Sequence, residues 1–284
     1  MGNLITTISD TALWVAVYRA DESDRVDSIF NDPFARMLSG NKGEQIVSAM
    51  VEGRKNSWSF VARTFLFDQY ISNILAQGID QVLNLASGLD VRPYRMNLPK
   101  TLKWVDIDLP EMVSYMNSKM QNHIPNCEFK RIGFDLSKNR EDRIKLFQEI
   151  SSEGNKTLII SEGLVGYLSE EEVGMLAFDL SHIKGFDYWI LDLMSPGILP
   201  LIQEEMGTML TDANTPLLFA PESGESFFSI YGWRILESSS KLKTALSLNR
   251  LPTEFLEFSK MPEPIGPKGQ FPWSGVCLFR NSYF

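Results

Sequence analysis

Residues 81–109, QVLNLASGLDVRPYRMNLPKTLKWVDIDL, decide the fold. Apolar runs stand at 81–87 and 103–109, and the first of them ends in a turn of small residues that leads into a helix. Short apolar runs bounded by turn residues are typical of buried strands. Two strands joined by a helix form a βαβ unit, so this segment predicts two strands of a parallel sheet.

The same pattern of short apolar runs and helical stretches continues on the C-terminal side of this segment. Further apolar runs occur at 128–134, 156–161 and 187–194, with helical stretches at 110–121, 138–151 and 169–183. Strands that alternate with helices predict an α/β fold whose parallel sheet is covered on both faces. Two later runs, 232–238 and 275–283, predict strands that close the sheet as an antiparallel pair at its edge.

No strand is predicted in the first 75 residues. Three helices are expected there: one capped by Ser9 or Asp10 and running to about Ala20, one near 24–38, and a long one over 57–77 that ends at Gly78. From 195 to 229, four prolines break the pattern into loop and short helix. The prediction is a single domain, 1–284, made of a helical cover (1–77), an alternating core (78–194) and a closing region (195–284).

The composition excludes several classes of function. The chain has 284 residues and a net charge of −9, which argues against a nucleic-acid or anionic-membrane partner because both need a basic surface. No apolar run approaches the roughly 20 residues that span a bilayer. Residues 1–20 lack the cationic start of a secretory signal, and Cys127 and Cys277 lie far apart without metal-ligand spacing. We therefore expect a cytoplasmic protein with no metal site.

A ligand site is expected beyond the carboxyl ends of the strands, where open parallel sheets bind their ligands. Gly88 lies in the small-residue turn after the first strand, and Asp108 ends the second strand 20 residues later (108 − 88). At this spacing an acidic residue accepts hydrogen bonds from the hydroxyls of a ribose. Asp106 shares a face with Asp108 and is an alternative, while Asp108 could also simply cap the helix that starts at Pro110.

Two further charged residues are candidates for the same site. Glu162 follows the buried run 156–161, so its carboxylate is expected to point into the ligand crevice or to pair with an arginine. Arg63 lies within the apolar stripe of the long helix, four residues before Phe67 and seven before Tyr70. A buried guanidinium needs an anion, which is either a structural carboxylate or the carboxylate of a ligand.

Five segments in order resemble the leucine carboxyl methyltransferase-like family of S-adenosylmethionine-dependent enzymes. They are TALWVAVYRADESDRVDSIFNDPFARMLSG (11–40), VARTFLFDQYI (61–71), QVLNLASGLDVRPYRMNLP (81–99), WVDIDLPEMV (104–113) and LIISEGLVGYLSEEEV (158–173). The resemblance covers roughly residues 10–195. It implies the Rossmann-like class I methyltransferase fold, with seven strands of which the last is antiparallel, a helical N-terminal cover, a cofactor-binding core at 78–194 and a substrate-side insertion beyond it.

The resemblance also implies roles for single residues. Arg63 would hold the methionine carboxylate of S-adenosyl-L-methionine, Gly88 would lie against the cofactor, and Asp108 would bind its ribose. Asp135 and Leu136 would frame the adenine. Glu162 would line the methionine end.

Three other positions belong to the same comparison. Arg19 and Arg25 are expected to face the carboxylate of the cofactor or an acidic substrate. Ala86 stands where the family commonly has glycine, which crowds the turn.

The predicted reaction is O-methylation of a carboxylate or hydroxyl on a small molecule, with S-adenosyl-L-homocysteine as the product. His123 and His182 fall on predicted outer helices, so no general base is assigned, although Glu162 and Tyr167 stay candidates for contacting the acceptor. Two alternatives are weighed. A non-catalytic methyltransferase-like binding protein would keep the fold, and an NAD-dependent oxidoreductase would share the spacing but normally carries a full GxGxxG.

Overall fold

The computed structural model describes residues 8–50, 53–204 and 216–284. Seven strands form one sheet, and each matches one of the predicted apolar runs. They are β1 (Gln81–Leu85), β2 (Lys103–Asp108), β3 (Glu128–Gly133), β4 (Thr157–Ser161), β5 (Phe186–Met194), β6 (Trp233–Ser240) and β7 (Ser274–Asn281).

The order of the strands is β3-β2-β1-β4-β5-β7-β6. The pairs from β3 to β5 are parallel, whereas β7 lies between β5 and β6 and is antiparallel to both. The predicted α/β methyltransferase fold with an antiparallel last strand is therefore confirmed. The two late strands form the predicted antiparallel pair at one edge of the sheet, with β7 next to β5 and β6 outermost.

Helices cover both faces of the sheet and its carboxyl edge. They are α1 (Ile8–Ser23), α2 (Ala35–Ala49), α3 (Ser57–Leu75), α4 (Arg92–Arg95), α5 (Pro110–Met120), α6 (Arg140–Ser151), α7 (Glu170–Ser181), the described part of α8 (199–204), α9 (Lys241–Ser247) and α10 (Leu256–Ser259). None of the described helices is long and apolar enough to cross a membrane.

Two helix predictions near the N-terminus are wrong. Helix α1 begins at Ile8, so Ser9 and Asp10 lie inside its first turn rather than capping it. The predicted helix at 24–38 is a loop up to Asp32, and α2 begins only at Ala35. A residue before proline is disfavoured in helical conformation, and Asp32 precedes Pro33 and accepts the backbone N–H of Phe34.

Two apolar clusters hold the sheet between the helices. On one face Phe67 and Ile71 of α3 pack with Trp104 and Leu158 of the sheet. The other face carries a larger cluster that includes Trp189, Phe228 and Trp233. Burial of Phe67 and Ile71 against the sheet fixes α3 on the first of these faces, and this placement brings Arg63 to the carboxyl edge.

Candidate functional site

A cavity of about 970 Å³ runs along the carboxyl edge of the sheet. Its floor is formed by the turns after the strands, and its roof by α1, the start of α3 and the region around α8. All six residues predicted to bind the cofactor line this cavity: Arg63, Gly88, Asp108, Asp135, Leu136 and Glu162. We call the part over β1, β2 and β3 the first end, and the part over β4, β5, β7 and β6 the second end.

At the first end, Asp108 is fixed by two backbone amides. Gly88 N–H donates to Asp108 Oδ2 at 2.6 Å, and Leu109 N–H donates to Asp108 Oδ1 at 2.7 Å. Burial raises the pKa of Asp108, although both amide hydrogen bonds act in the opposite direction. Each oxygen keeps a lone pair, so the carboxylate can still accept from two vicinal hydroxyls of a ligand.

Asp106, the alternative to Asp108, does not line the cavity. It is buried beneath the first end, where Oδ1 accepts from Trp104 Nε1 at 2.8 Å and from Asn84 Nδ2 at 3.1 Å. Burial, reinforced by the charge of Asp90, raises the pKa of Asp106 to about 7. The Asp106 carboxyl group therefore binds only buried side chains, and of these two aspartates Asp108 alone lines the cavity.

The turn after β1 is tight. Gly88 has φ +52°, and a Cβ added there would lie 3.4 Å from the Cβ of Ala12 on α1. Ala86 has φ +51°, a left-handed conformation that favours glycine. This conformation explains why the family commonly has glycine at position 86. The alanine of this chain adopts it at a cost of about 1–2 kcal/mol in conformational free energy.

Asp135 and Leu136 follow β3 and complete the first end. Ser137 Oγ donates to Asp135 Oδ1 at 2.6 Å, and Lys138 Nζ lies 3.3 Å from Asp135 Oδ2. The hydrogen bond from Ser137 is the main reason that the pKa of Asp135 is lowered. The half-buried Leu136 side chain packs against the main apolar cluster beside it, so an ionised acceptor and an apolar surface lie next to each other.

At the second end, Arg63 bridges two strands. Its Nε lies 3.0 Å from Glu162 Oε1 after β4, and its Nη1 lies 3.2 Å from Asp192 Oδ2 on β5. Gly163 N–H donates to the other oxygen of Asp192 at 2.6 Å. Arg63 therefore has structural carboxylate partners, the first of the two alternatives, while its Nη2 makes no hydrogen bond within the described residues and stays available to a ligand.

Arg92 joins the same network, although it does not figure among the predicted site residues. Its Nη2 lies 2.8 Å from Glu162 Oε2, its Nε 2.7 Å from Asp68 Oδ1 and its Nη1 2.7 Å from Asp90 Oδ2. Burial alone would raise the pKa of Glu162, but the guanidinium groups, with Arg92 and Arg63 foremost, lower it to about 2. Glu162 is consequently an anion at neutral pH and a weak proton acceptor.

The remaining candidates divide between the cavity and the surface. Arg19 lines the cavity, where its Nε lies 2.7 Å from Asp32 Oδ2. Arg25 instead pairs with the exposed Asp27 and is not a lining residue. His123 and His182 are exposed and are not among the lining residues either, so neither can serve as a base for a ligand held there.

Comparison with known proteins identifies the family. The sequence profile of the leucine carboxyl methyltransferases matches residues 12–179, more than half of the chain. The chain belongs to the leucine carboxyl methyltransferase family. A Mycobacteroides abscessus protein, provisionally named an S-adenosyl-L-methionine-dependent methyltransferase, is 30% identical over 193 residues, which are 63% of this chain and 62% of that protein. The predicted family is thus confirmed, and the name of the Mycobacteroides abscessus relative gives S-adenosyl-L-methionine as the methyl donor of that protein.

Solved structures of other proteins share the fold of this chain. A DUF574 family protein from Streptomyces avermitilis superposes with a TM-score of 0.59 and 12% identity, covering 94% of this chain and 96% of that one. A protein from Thermobifida fusca, provisionally named a methyltransferase, gives a TM-score of 0.56 with 15% identity, and the coverage is 98% and 96%. At such low identity these structures show the methyltransferase fold alone.

The residues of the cavity fit S-adenosyl-L-methionine. Asp108 offers acceptor sites to a ribose, and Gly88 has the positive φ that favours glycine and lies where an added Cβ would touch Ala12 of α1. Glu162 presents a carboxylate on the far side of the same cavity, and Arg63 presents there an Nη2 that has no partner among the described residues. A cationic sulfonium that carries an amino group and a carboxylate is complementary to this pair of charges.

Proposed function

We propose that the protein methylates an oxygen atom of a small-molecule acceptor with S-adenosyl-L-methionine. The observation that carries this proposal is that one cavity is lined by Gly88 and Asp108 at one end and by Arg63 and Glu162 at the other. These groups match, in order, an adenosine and an amino acid joined through sulfur.

In this proposal the first end holds the adenosine. Asp108 accepts from both ribose hydroxyls, and Asp135 accepts from the adenine amino group. Leu136 contacts the ring, and Gly88 allows the backbone to approach the cofactor closely.

The second end holds the amino acid part. Glu162 faces the ammonium group and the sulfonium, while Nη2 of Arg63 binds the carboxylate. Asp192 keeps the Arg63 guanidinium in place by binding its Nη1.

Methyl transfer then needs alignment more than proton chemistry. S-adenosyl-L-methionine supplies an electrophilic methyl group on a positively charged sulfur. An acceptor oxygen placed opposite the sulfur gives a lone pair to the methyl carbon as the carbon–sulfur bond breaks, and S-adenosyl-L-homocysteine leaves with that electron pair. An ionised carboxylate acceptor needs no base, which suits a cavity in which Glu162, with a pKa of about 2, is a weak proton acceptor.

Two outcomes separate this proposal from its alternatives. Isothermal titration should give heat with S-adenosyl-L-homocysteine and none with NAD, because the strand order with an inserted antiparallel β7 differs from the all-parallel dehydrogenase sheet. Incubation with S-adenosyl-L-methionine and a metabolite extract should then yield a product heavier by one CH2. Binding without any such product would favour a non-catalytic binding protein, and a folded protein that binds no S-adenosyl-L-homocysteine would overturn the proposal.

A further inference from the structure

The loop that follows β3 contains a peptide unit that is bound at both of its polar groups. The carbonyl oxygen of Leu136 accepts a hydrogen bond from Arg143 Nη1 at 2.7 Å, and the N–H of the next residue, Ser137, donates to Asp135 Oδ1 at 3.0 Å. A peptide unit is planar, so its carbonyl and its N–H turn together. Arg143 therefore fixes, through one rigid plane, the direction from which the Asp135 carboxylate is bound.

Arg143 is itself held in place. It lies on α6, is buried and lines the cavity. Its Nη2 donates to Asp179 Oδ2 at 2.6 Å, and Asp179 is buried on α7. Because a guanidinium is planar and rigid, contacts from two of its nitrogens fix its orientation. One buried side chain thus connects the loop after β3 to both helices.

A second arginine shows which contact is particular to Arg143. Arg140, at the start of α6, also binds Asp179, with its Nη2 2.6 Å and its Nε 2.9 Å from Oδ1. The Arg140 side chain is 49% exposed, does not line the cavity, and within the described part of the chain makes hydrogen bonds to Asp179 alone. Arg140 already links α6 to α7, so what Arg143 adds is the contact with the loop. Asp179 also keeps a cation when Arg143 is replaced.

Selective binding of a base depends on the direction of the Asp135 acceptor. The hydrogen bond from Ser137 lowers the pKa of Asp135, and an ionised carboxylate accepts hydrogen bonds but donates none. It therefore distinguishes a purine that carries an amino group from one that lacks it. A hydrogen bond weakens steeply when its angle falls below about 120°, so rotation of the Leu136–Ser137 peptide would remove this distinction.

We propose that Arg143 is a positioning residue for recognition of the adenine base, because it holds the Leu136–Ser137 peptide so that the Asp135 carboxylate faces the amino group of the base. This inference rests on the proposed function, in which the first end holds the adenosine, and it names the residue on which selectivity for adenine depends. Lysine does not substitute for Arg143. An ammonium has one nitrogen where the guanidinium uses two, Nη1 for the loop and Nη2 for Asp179.

The test compares two ligands by isothermal titration of the full chain at pH 7. They are S-adenosyl-L-homocysteine and its 6-deamino analogue, in which purine replaces adenine. The variants are Arg143→Met, Arg143→Lys and, as the matched control, Arg140→Met, which takes a cation from the same aspartate but leaves the loop contact. We expect wild type and the control to prefer S-adenosyl-L-homocysteine by at least about tenfold, and both Arg143 variants by less than about threefold. Affinity for the 6-deamino analogue should change by less than about threefold in every variant.

A preference that survives in the two Arg143 variants would overturn the inference, and so would an equal loss in Arg140→Met, which would assign the effect to the link between α6 and α7. Equal weakening of both ligands, or failure of both Arg143 variants to fold in a thermal melt, would make Arg143 a structural residue only. A wild type that binds both ligands equally would show that Asp135 does not recognise the amino group. A folded wild type that binds no S-adenosyl-L-homocysteine would instead defeat the proposed function, so the two failures are distinguishable.

Discussion

The two ends of the cavity are built on different principles. At the first end, the ligand-facing groups come from turns directly after neighbouring strands, and Asp108 is fixed by backbone amides at positions 88 and 109. At the second end, Arg63 reaches Glu162 and Asp192 across 99 and 129 positions of sequence. The first end is thus held by local backbone geometry, and the second by a buried network of charges from distant elements.

This difference predicts that mutations in the charge network of the second end mainly affect folding, whereas removal of a ligand-facing side chain at the first end mainly affects ligand binding. The largest effect is expected for Arg92→Met, which leaves Asp68, Asp90 and Glu162 with one buried cation fewer. Breaking a buried ion pair from one side costs about 3–5 kcal/mol in the free energy of unfolding. Urea denaturation checks this value, and Lys100→Met, which removes an exposed cation, should change it by less than about 0.5 kcal/mol. A loss equally small for Arg92→Met would contradict the network.

At the first end, Asp108→Ala should leave the fold intact and weaken ligand binding. Loss of hydrogen bonds from two hydroxyls to a carboxylate is expected to lower the affinity for S-adenosyl-L-homocysteine by about 10- to 100-fold. Isothermal titration measures the affinity, and the thermal midpoint reports the fold. Asp106→Asn is the matched control, since Asp106 lies outside the cavity, and its affinity should stay within about threefold of wild type. Equal losses in both variants would show that the turn, and not the ligand contact, had been damaged.

The contribution of Glu162, at the second end, to the free energy of unfolding should decrease in acid. The folded pKa of Glu162 is about 2, against an ordinary value of 4.5, so its stabilising effect is full above pH 4.5 and declines as the pH falls toward 2. The difference in unfolding free energy between wild type and Glu162→Gln should narrow by about 1 kcal/mol between pH 7 and about pH 3.5. Denaturation at both pH values measures it. A difference independent of pH would mean that Glu162 is not held ionised by Arg63 and Arg92.

The smallest effect is expected in the turn of the first end. Ala86→Gly removes a left-handed alanine, and we expect a gain of about 0.5–1 kcal/mol in unfolding free energy after the greater freedom of glycine in the unfolded chain is subtracted. Gly88→Ala should do the reverse, because its φ is also positive and the new Cβ would contact Ala12. Chemical denaturation of the two variants compares these signs. Changes of the same sign would contradict this account of the turn.

The same contrast explains what could be predicted from the sequence. All seven strands follow from short apolar runs, and Gly88 and Asp108 follow from local spacing, because both signals lie within one βαβ unit. The partners of Arg63 could not be predicted, since periodicity shows that a guanidinium is buried but not which distant carboxylate faces it. No local sequence pattern predicts that Lys241, which follows β6, lines the cavity, because the place of β6 depends on the insertion of β7 beside β5. The loop before α2 was missed because the effect of Pro33 on Asp32 outweighs the polar start of the segment.

The most direct test of the central claim is a crystal structure of the protein with S-adenosyl-L-homocysteine. We predict both ribose hydroxyls within about 2.5–3.2 Å of the Asp108 carboxylate, and the amino acid part beside Arg63 and Glu162. A ligand bound in the opposite direction, with its adenosine over β5 and β7, or bound outside the cavity, would contradict the division of the site into these two ends.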